Sequence, residues 1–250
     1  MASIAKPRKI INRKALKKRL NEIVAWSGYT TSKQNDILIA FKEVHQYGWS
    51  EIQRRFEASE IDGHEAARAI AHLTDQIIRS LYEFANIVVY PAANPTTGEQ
   101  MALMATGGYG RGEMAPYSDI DLMFLLPYKL TPRSEQVVEF VLYMLWDLGL
   151  KVGHATRSLD EAMRLATDDI STRTSMLDTR CLYGNQSLAK KFKKRFSEEI
   201  VKKTGPLFVE AKLAERDRRH VRMGDTRYVL EPNLKEGKGG LRDLQTLFWL

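Results

Sequence analysis

Apolar residues recur every three to four positions through two long segments near the start of the chain. In SKQNDILIAFKEVHQYGWSEIQRRFEA (32–58) the spacing of Ile37, Phe41 and Val44 predicts a helix, and in EIDGHEAARAIAHLTDQIIRSLYEFANIVVY (60–90) Ile70, Leu73, Ile77 and Leu81 predict a second. PAANPTTG (91–98) is a turn-rich break. Beyond it the period shortens: MALMAT (101–106) reads as a strand, the glycine-rich segment after it as a loop with a brief helix, and DIDLMFLL (119–126) as a second strand. A buried helix is predicted over 133–149 and a third strand in LKVGHATR (150–157). From 159 the helical period returns in LDEAMRLA, in the basic amphipathic 187–203 and in the charged AKLAERDRRHVRMGDTRY. Leu241, Leu244 and Leu247 keep helical spacing to the last residue with no cap or glycine stop, so the helix is expected to be cut off rather than finished.

This order predicts an α+β fold, a small mixed sheet with helices, flanked by N-terminal helices and a C-terminal helical region. Its expected divisions are a basic, poorly ordered tail at 1–31, a helical region at 32–92, a core at 93–185 and the start of a helical domain at 186–250. With 250 residues, 44% apolar and 28% charged, the chain has the means to bury a sizeable core. The most apolar stretch, VVEFVLYMLWDLGL (137–150), is interrupted by Glu139 and Asp147 and is too short to span a bilayer. Cys181 is the single cysteine, which excludes an internal disulfide and a cysteine-based zinc cluster and points to oxygen-based metal chemistry in a reducing compartment.

The net charge of +7 suggests nucleic acid until it is divided along the chain. Residues 1–20 hold eight Lys/Arg and no acid, 21–189 hold 14 basic and 22 acidic residues, and 190–250 hold 16 basic and 9 acidic. An acidic centre argues against a phosphate-backbone track there and agrees with a site that binds cations. The basic start is open to three readings: a solvated tail, an RNA- or membrane-surface arm, or an acid-free transit peptide.

That acidic centre contains GGYGRGEMAPYSDIDLMFLLP (107–127). Gly107 and Gly112 stand at the spacing of a phosphate-binding P-loop, but Glu113 and Met114 occupy the places of its Lys and Ser/Thr. A dinucleotide fingerprint begun at Gly108 requires glycine at 113 and meets Glu113. What remains is a strand followed by Gly-Gly, whose backbone can approach an anion closely, or else only a tight turn. On a strand, Asp119 and Asp121 project from one face about 6.6 Å apart, while Ile120 and Leu122 face the core. Two carboxylates so placed repel unless cations lie between them, and paired magnesium ions about 3.5 to 4 Å apart serve phosphoryl transfer in this way. Alone, the aspartates would read as a solvated strand end; eleven residues after a glycine loop they read as metal ligands.

Gly-Gly, a spacer and Ser-Asp-Ile-Asp-Leu resemble the signature of the nucleotidyltransferase superfamily that includes DNA polymerase β. Together with LWDLGLKVGHATRSLDEA (145–162) and LEPNLKEGKGGLRDLQTL (230–247), the segment resembles one family in it, the bacterial PII uridylyltransferase/uridylyl-removing enzymes, over roughly residues 35–250. The resemblance implies a polymerase β-like core in the cytoplasm that transfers UMP from UTP to a tyrosine of the PII nitrogen-signal protein, with no membrane or nucleic-acid partner. It implies that Gly107, Gly108, Arg111 and Ser118 contact the nucleotide, and that Asp119 and Asp121 are catalytic and hold Mg2+. Lys235, Lys238 and Arg242 around EGKGG are candidates for further phosphate contacts, or else a solvated face and a capping turn.

Two departures stand out. Family members resemble four modules, a nucleotidyltransferase, a His-Asp phosphohydrolase and two glutamine-sensing domains, and only the first is expected here, because none of His45, His64, His72, His154 and His220 precedes an aspartate. The superfamily also carries a third carboxylate on a later strand, where 150–157 offers Gly153 and His154; Asp178 is the nearest candidate, with an ion pair to Arg180 as its other reading. Two functions from other classes stay open: a non-catalytic nucleotide-binding fragment, and a nucleotidyltransferase acting on an RNA end.

Overall fold

The computed structural model describes residues 4–26, 28–92, 94, 96–226, 228, 230–231 and 233–250. Met1 to Ser3 and Ser27 of the basic start, Ala93 and Pro95 of the turn-rich break, Arg227 of the charged segment and Pro232 of the last block lie outside them. The chain divides into two compact units, Met1–Leu159 with Asp178–Lys190, and Asp160–Leu177 with Lys191–Leu250. The N-terminal helices and the sheet therefore share one unit, where the sequence suggested separate regions, and Asp160–Leu177 leaves the core for the second unit.

The first unit begins with helices α1 (Pro7–Ile10) and α2 (Arg13–Val24), which replace the expected poorly ordered tail. Ile10, Ile11, Leu16 and Leu20 are all buried, so the many cations ride on the outside of a segment that is amphipathic underneath its charge. Both helices pack on α3 (Gln34–Glu57) and α4 (Gly63–Phe84). A capping box starts α4: the Asp62 carboxylate accepts from the Glu65 amide at 2.7 Å, and Glu65 accepts from the Asp62 amide at 3.0 Å. Its predicted stripe, Ile70, Leu73, Ile77 and Leu81, is buried, as are Ile37 and Phe41 of α3.

The sheet follows, with β1 (Ala102–Ala105), a single helical turn α5 (Gly107–Gly110), β2 (Ile120–Leu126), α6 (Pro132–Asp147) and β3 (Val152–Ser158). Thr131 caps α6 and Pro132 opens it, a pairing that fixes its start. A fourth strand, β4 (Arg180–Gly184), was not anticipated; it is five residues long and lies on the edge. The order is β3-β2-β1-β4, with β1 antiparallel to both neighbours and β2 parallel to β3. Every residue of β2 except Asp121 is buried, so one half-buried carboxylate interrupts an otherwise apolar strand.

The second unit contains α7 (Leu159–Asp168, from Asp160), α8 (Ile170–Leu177), the end of α9 (Gln186–Arg195), α10 (Lys202–Arg222) and α11 (Leu241–Trp249). Buried Arg173 donates to the carbonyls of Ala166 and Thr167 and to the Thr204 hydroxyl. Among the described residues, no helix of the chain is long and apolar enough to cross a membrane.

Two expectations follow. A Cβ at Gly48 of α3 would stand 2.5 Å from a Leu73 methyl and 2.8 Å from the Ile10 carbonyl oxygen. Gly48→Ala should therefore lower the unfolding free energy measured by urea titration by about 1 to 3 kcal/mol of overpacking, despite alanine's better helix propensity. In the second unit Asp243 accepts from the Gly239 amide at 2.7 Å, from His220 Nε2 at 2.9 Å and from Arg219. Burial raises its carboxyl, yet these donors prevail and hold it below the ordinary range. A folded pKa below the unfolded one contributes stability above about pH 4 and loses it as pH falls through the folded value. Amide exchange in α11 should quicken over that acid range, and Asp243→Asn should flatten the change.

Candidate active site

The main-chain amide of Thr106, at the end of β1, donates to the Asp121 carbonyl at 3.0 Å, which sets the following glycine beside the Asp121 side chain. Gly107 takes a left-handed φ of +56°, and a Cβ there would lie 3.0 Å from Asp121 Oδ2. From the other side, Gly153 of β3 pairs with Asp121 in the parallel ladder, and its Cβ would lie 2.9 Å from Oδ1. The Asp121 carboxylate thus stands between two backbones that come close only because both residues are glycine. Gly153 was read in the sequence as the place where a carboxylate is lacking; its steric role depends on a strand pairing that spacing does not disclose. His154, one residue on, pairs with Leu122 on the opposite face and meets the edge of Trp146, with ring centroids 6.0 Å apart.

Asp119 lies one residue before β2 and is exposed. Ser118, also exposed, closes a turn through its amide to the Ala115 carbonyl at 3.2 Å, and Tyr117 before it adopts a left-handed φ of +63°. Gly108 differs from Gly107: its φ is not left-handed, and the nearest atom to a Cβ there is Arg111 Nη2 at 3.6 Å, an ordinary contact. The conformational demand in the Gly-Gly pair falls on its first member.

Asp178 does not pair with Arg180 in the manner considered from the sequence. Its carboxylate, 8% exposed, accepts from Arg111 Nη1 at 2.6 Å, and its main-chain carbonyl occupies the space of a Cβ at Gly110. The ion pair thus joins a residue considered for the nucleotide to one considered for the metal. Among the described residues no group of three or more His, Cys, Asp or Glu is arranged to hold a metal.

Arg180 turns instead to Asp75 of α4, donating through both terminal nitrogens, Nη2 at 3.0 Å. The same carboxylate accepts from the Tyr109 hydroxyl at 2.7 Å. Arg180 also donates to the carbonyls of Tyr109 and Gly110, at 3.3 Å each, and its guanidinium lies over the Tyr109 ring at 5.5 Å. Burial, with Asp75 beside it, pushes the Tyr109 phenol well above its ordinary range, so the hydroxyl stays a donor. This network escaped sequence reading, since its members are 34 to 105 residues apart.

The candidates near the C-terminus belong to the second unit. Lys238 pairs with Asp225 at 2.9 Å and Arg242 with Glu236 at 3.3 Å, while Lys235 is exposed. The amides of Leu241 and Arg242 at the start of α11 donate to the carbonyls of Leu234 and Lys235. The EGKGG turn therefore satisfies two amides of its own helix start from within, and the side chains of Lys235, Lys238 and Arg242 stand around it.

A family model described as putative nucleotidyltransferase DUF294 matches residues 49–155, which include the Asp121 cradle, and one described as GlnD PII-uridylyltransferase matches residues 207–250. The chain is 54% identical over 247 residues to the bifunctional uridylyltransferase/uridylyl-removing enzyme of Rhodospirillum rubrum, covering 99% of this chain and 26% of that protein. It is 52% identical over 250 residues to the enzyme of the same name from Azospirillum brasilense, covering 100% of this chain and 27% of that one. The chain thus spans about a quarter of the length of these relatives.

Removing one partner from the buried network should be costly. Asp75→Asn leaves the Arg180 charge uncompensated and should destabilise the first unit by about 3 to 5 kcal/mol. Tyr109→Phe, which removes one hydrogen bond to a charged group, should cost about 1.5 to 3 kcal/mol. Urea unfolding of the two variants gives the comparison, and equal losses would mean that Arg180 finds another acceptor.

Proposed function

The chain belongs to the family of the bifunctional uridylyltransferase/uridylyl-removing enzymes, and from that premise we propose that it carries the transferase chemistry: UMP passes from UTP to a tyrosine of the PII protein, in the cytoplasm, with release of pyrophosphate. The observation that carries this reading is the Asp121 carboxylate seated between Gly107 and Gly153, on the strand paired with the one that delivers Gly-Gly. A carboxylate fixed by two backbones has little freedom to lose when it engages a ligand.

The family implies Mg2+, and the donors here fit it. Asp119 and Asp121 supply hard carboxylate oxygens, one exposed and one half-buried, and the glycines leave no side chain to crowd the second. Bound there, Mg2+ would lower the acceptor's pKa and neutralise charge at the α-phosphate. The rest is positioning by the chain itself. Gly107 and Gly108 let the backbone approach the triphosphate, Arg111 offers a guanidinium beside Gly108, and Ser118 lies next to Asp119. The acceptor oxygen attacks the α-phosphorus in line, and the P–O bond to pyrophosphate breaks. Asp178, held by Arg111, is assigned to positioning that guanidinium rather than to the metal.

Incubation of the chain with Mg2+, labelled UTP and PII protein tests the reading. Asp119→Asn and Asp121→Asn should fold and lose more than about nine-tenths of UMP transfer, roughly 1.4 kcal/mol of barrier or more. Retention of more than a tenth would overturn the metal assignment. Gly108→Val needs no strained backbone, so in calorimetric titration it should lower UTP affinity while leaving thermal stability near wild type. Transfer to an RNA end rather than to PII would favour the alternative activity.

A further inference from the structure

Helices α1 and α2 and one face of α4 line an open surface concavity of about 490 Å3 that the transferase chemistry does not use. Arg8, Arg13, Lys14 and Lys18 line it from the basic start, and His72 and Gln76 from α4. No Asp or Glu contributes to the lining. Glu83 takes up Arg13 together with Lys17, and Lys18 approaches Glu22 at 3.7 Å, whereas among the described residues no carboxylate pairs with Arg8 or Lys14. Like charges are thus gathered around a concavity and left partly uncompensated, an arrangement that raises the local concentration of anions. Pro7, Ile11 and Ala15 add apolar wall, and the volume lies within the range of small-molecule sites.

We propose that this cavity is a second ligand site, for a nucleotide-sized phosphate ester carrying two or more negative charges. Arg8 and Lys14 supply the charge; the His72 ring and the Gln76 amide supply directional hydrogen bonds. Burial holds the His72 imidazole below its ordinary range, which makes it a neutral hydrogen-bonding group near pH 7. A concave wall suits a compact ligand, whereas an extended nucleic-acid strand would require a longer basic track. His72 and Gln76 flank Asp75, so the pocket shares one helical turn with the anchor of the glycine loop.

Calorimetric titration of the full chain without divalent metal, using sodium tripolyphosphate and separately UDP, tests the proposal. Both probes should bind, UDP more tightly if the apolar wall is used. Arg8→Gln with Lys14→Gln should weaken them about tenfold or more, with unchanged thermal stability because both side chains are exposed. Gly108→Val should leave the metal-free affinity within about twofold, which separates this pocket from the glycine loop. Absence of binding, full affinity in the double variant, or loss of affinity in Gly108→Val would each overturn the site. Tripolyphosphate bound more tightly than UDP would reduce the ligand to free polyphosphate and overturn the nucleotide class. A 12-nucleotide RNA that binds more tightly than either probe would replace the pocket with an RNA-binding arm.

Discussion

The first unit depends on one buried carboxylate. Asp75 accepts from Tyr109 and Arg180, and through them α4, the turn after β1 and the edge strand β4 are held together. An ion pair in such a place gains less from attraction than its distance suggests, because both charges lose water; its strength lies in how badly the structure fares with one partner gone. Here the requirement has a spatial consequence. Arg180 reaches Asp75 and also meets the carbonyls of Tyr109 and Gly110, so the guanidinium that answers the charge also holds the backbone of the glycine turn. Stability and site geometry are decided by the same contacts.

Gly107, Gly110 and Gly153 then allow the backbones to come closer than side chains permit. The first and third flank the Asp121 carboxylate, and the second admits the main-chain carbonyl of Asp178. Close approach matters because Asp121 interrupts an apolar strand and would otherwise be exposed to a wide range of rotamers. Backbone on both sides narrows its orientations, two residues after the exposed Asp119. A negative site inside an acidic stretch of chain is tenable when a cation is part of its working state.

Much of this was legible in the amino-acid order. Periods of three to four marked α3, α4 and α6, and short apolar runs bounded by turns marked β1, β2 and β3, because burial of one face imposes a period on the sequence. The family signature singled out Asp119, Asp121 and the Gly-Gly pair. β4 was missed because five residues beginning with Arg180 offer too little pattern, and α2 because charge obscured the four-residue spacing of Leu16 and Leu20. Asp75 gave no local signal at all: a lone aspartate on an apolar helix face acquires meaning only from Tyr109 and Arg180, which the fold brings to it. Gly153 likewise looked like a missing ligand until the parallel register set it against Asp121.

The Arg111–Asp178 pair brings these constraints together. Arg111 follows the anchored turn, and Asp178 precedes β4 by two residues, so both ends of the pair descend from elements fixed by Asp75. A guanidinium that is already paired has given up much of its rotamer freedom before any phosphate arrives, which lowers the entropic cost of a later contact. The pair engages Nη1 alone, at 2.6 Å, and a guanidinium carries further N–H donors that can meet an anion without breaking it. In the proposed nucleotide role, the acid that restrains the arginine would shape such a contact as much as the arginine itself.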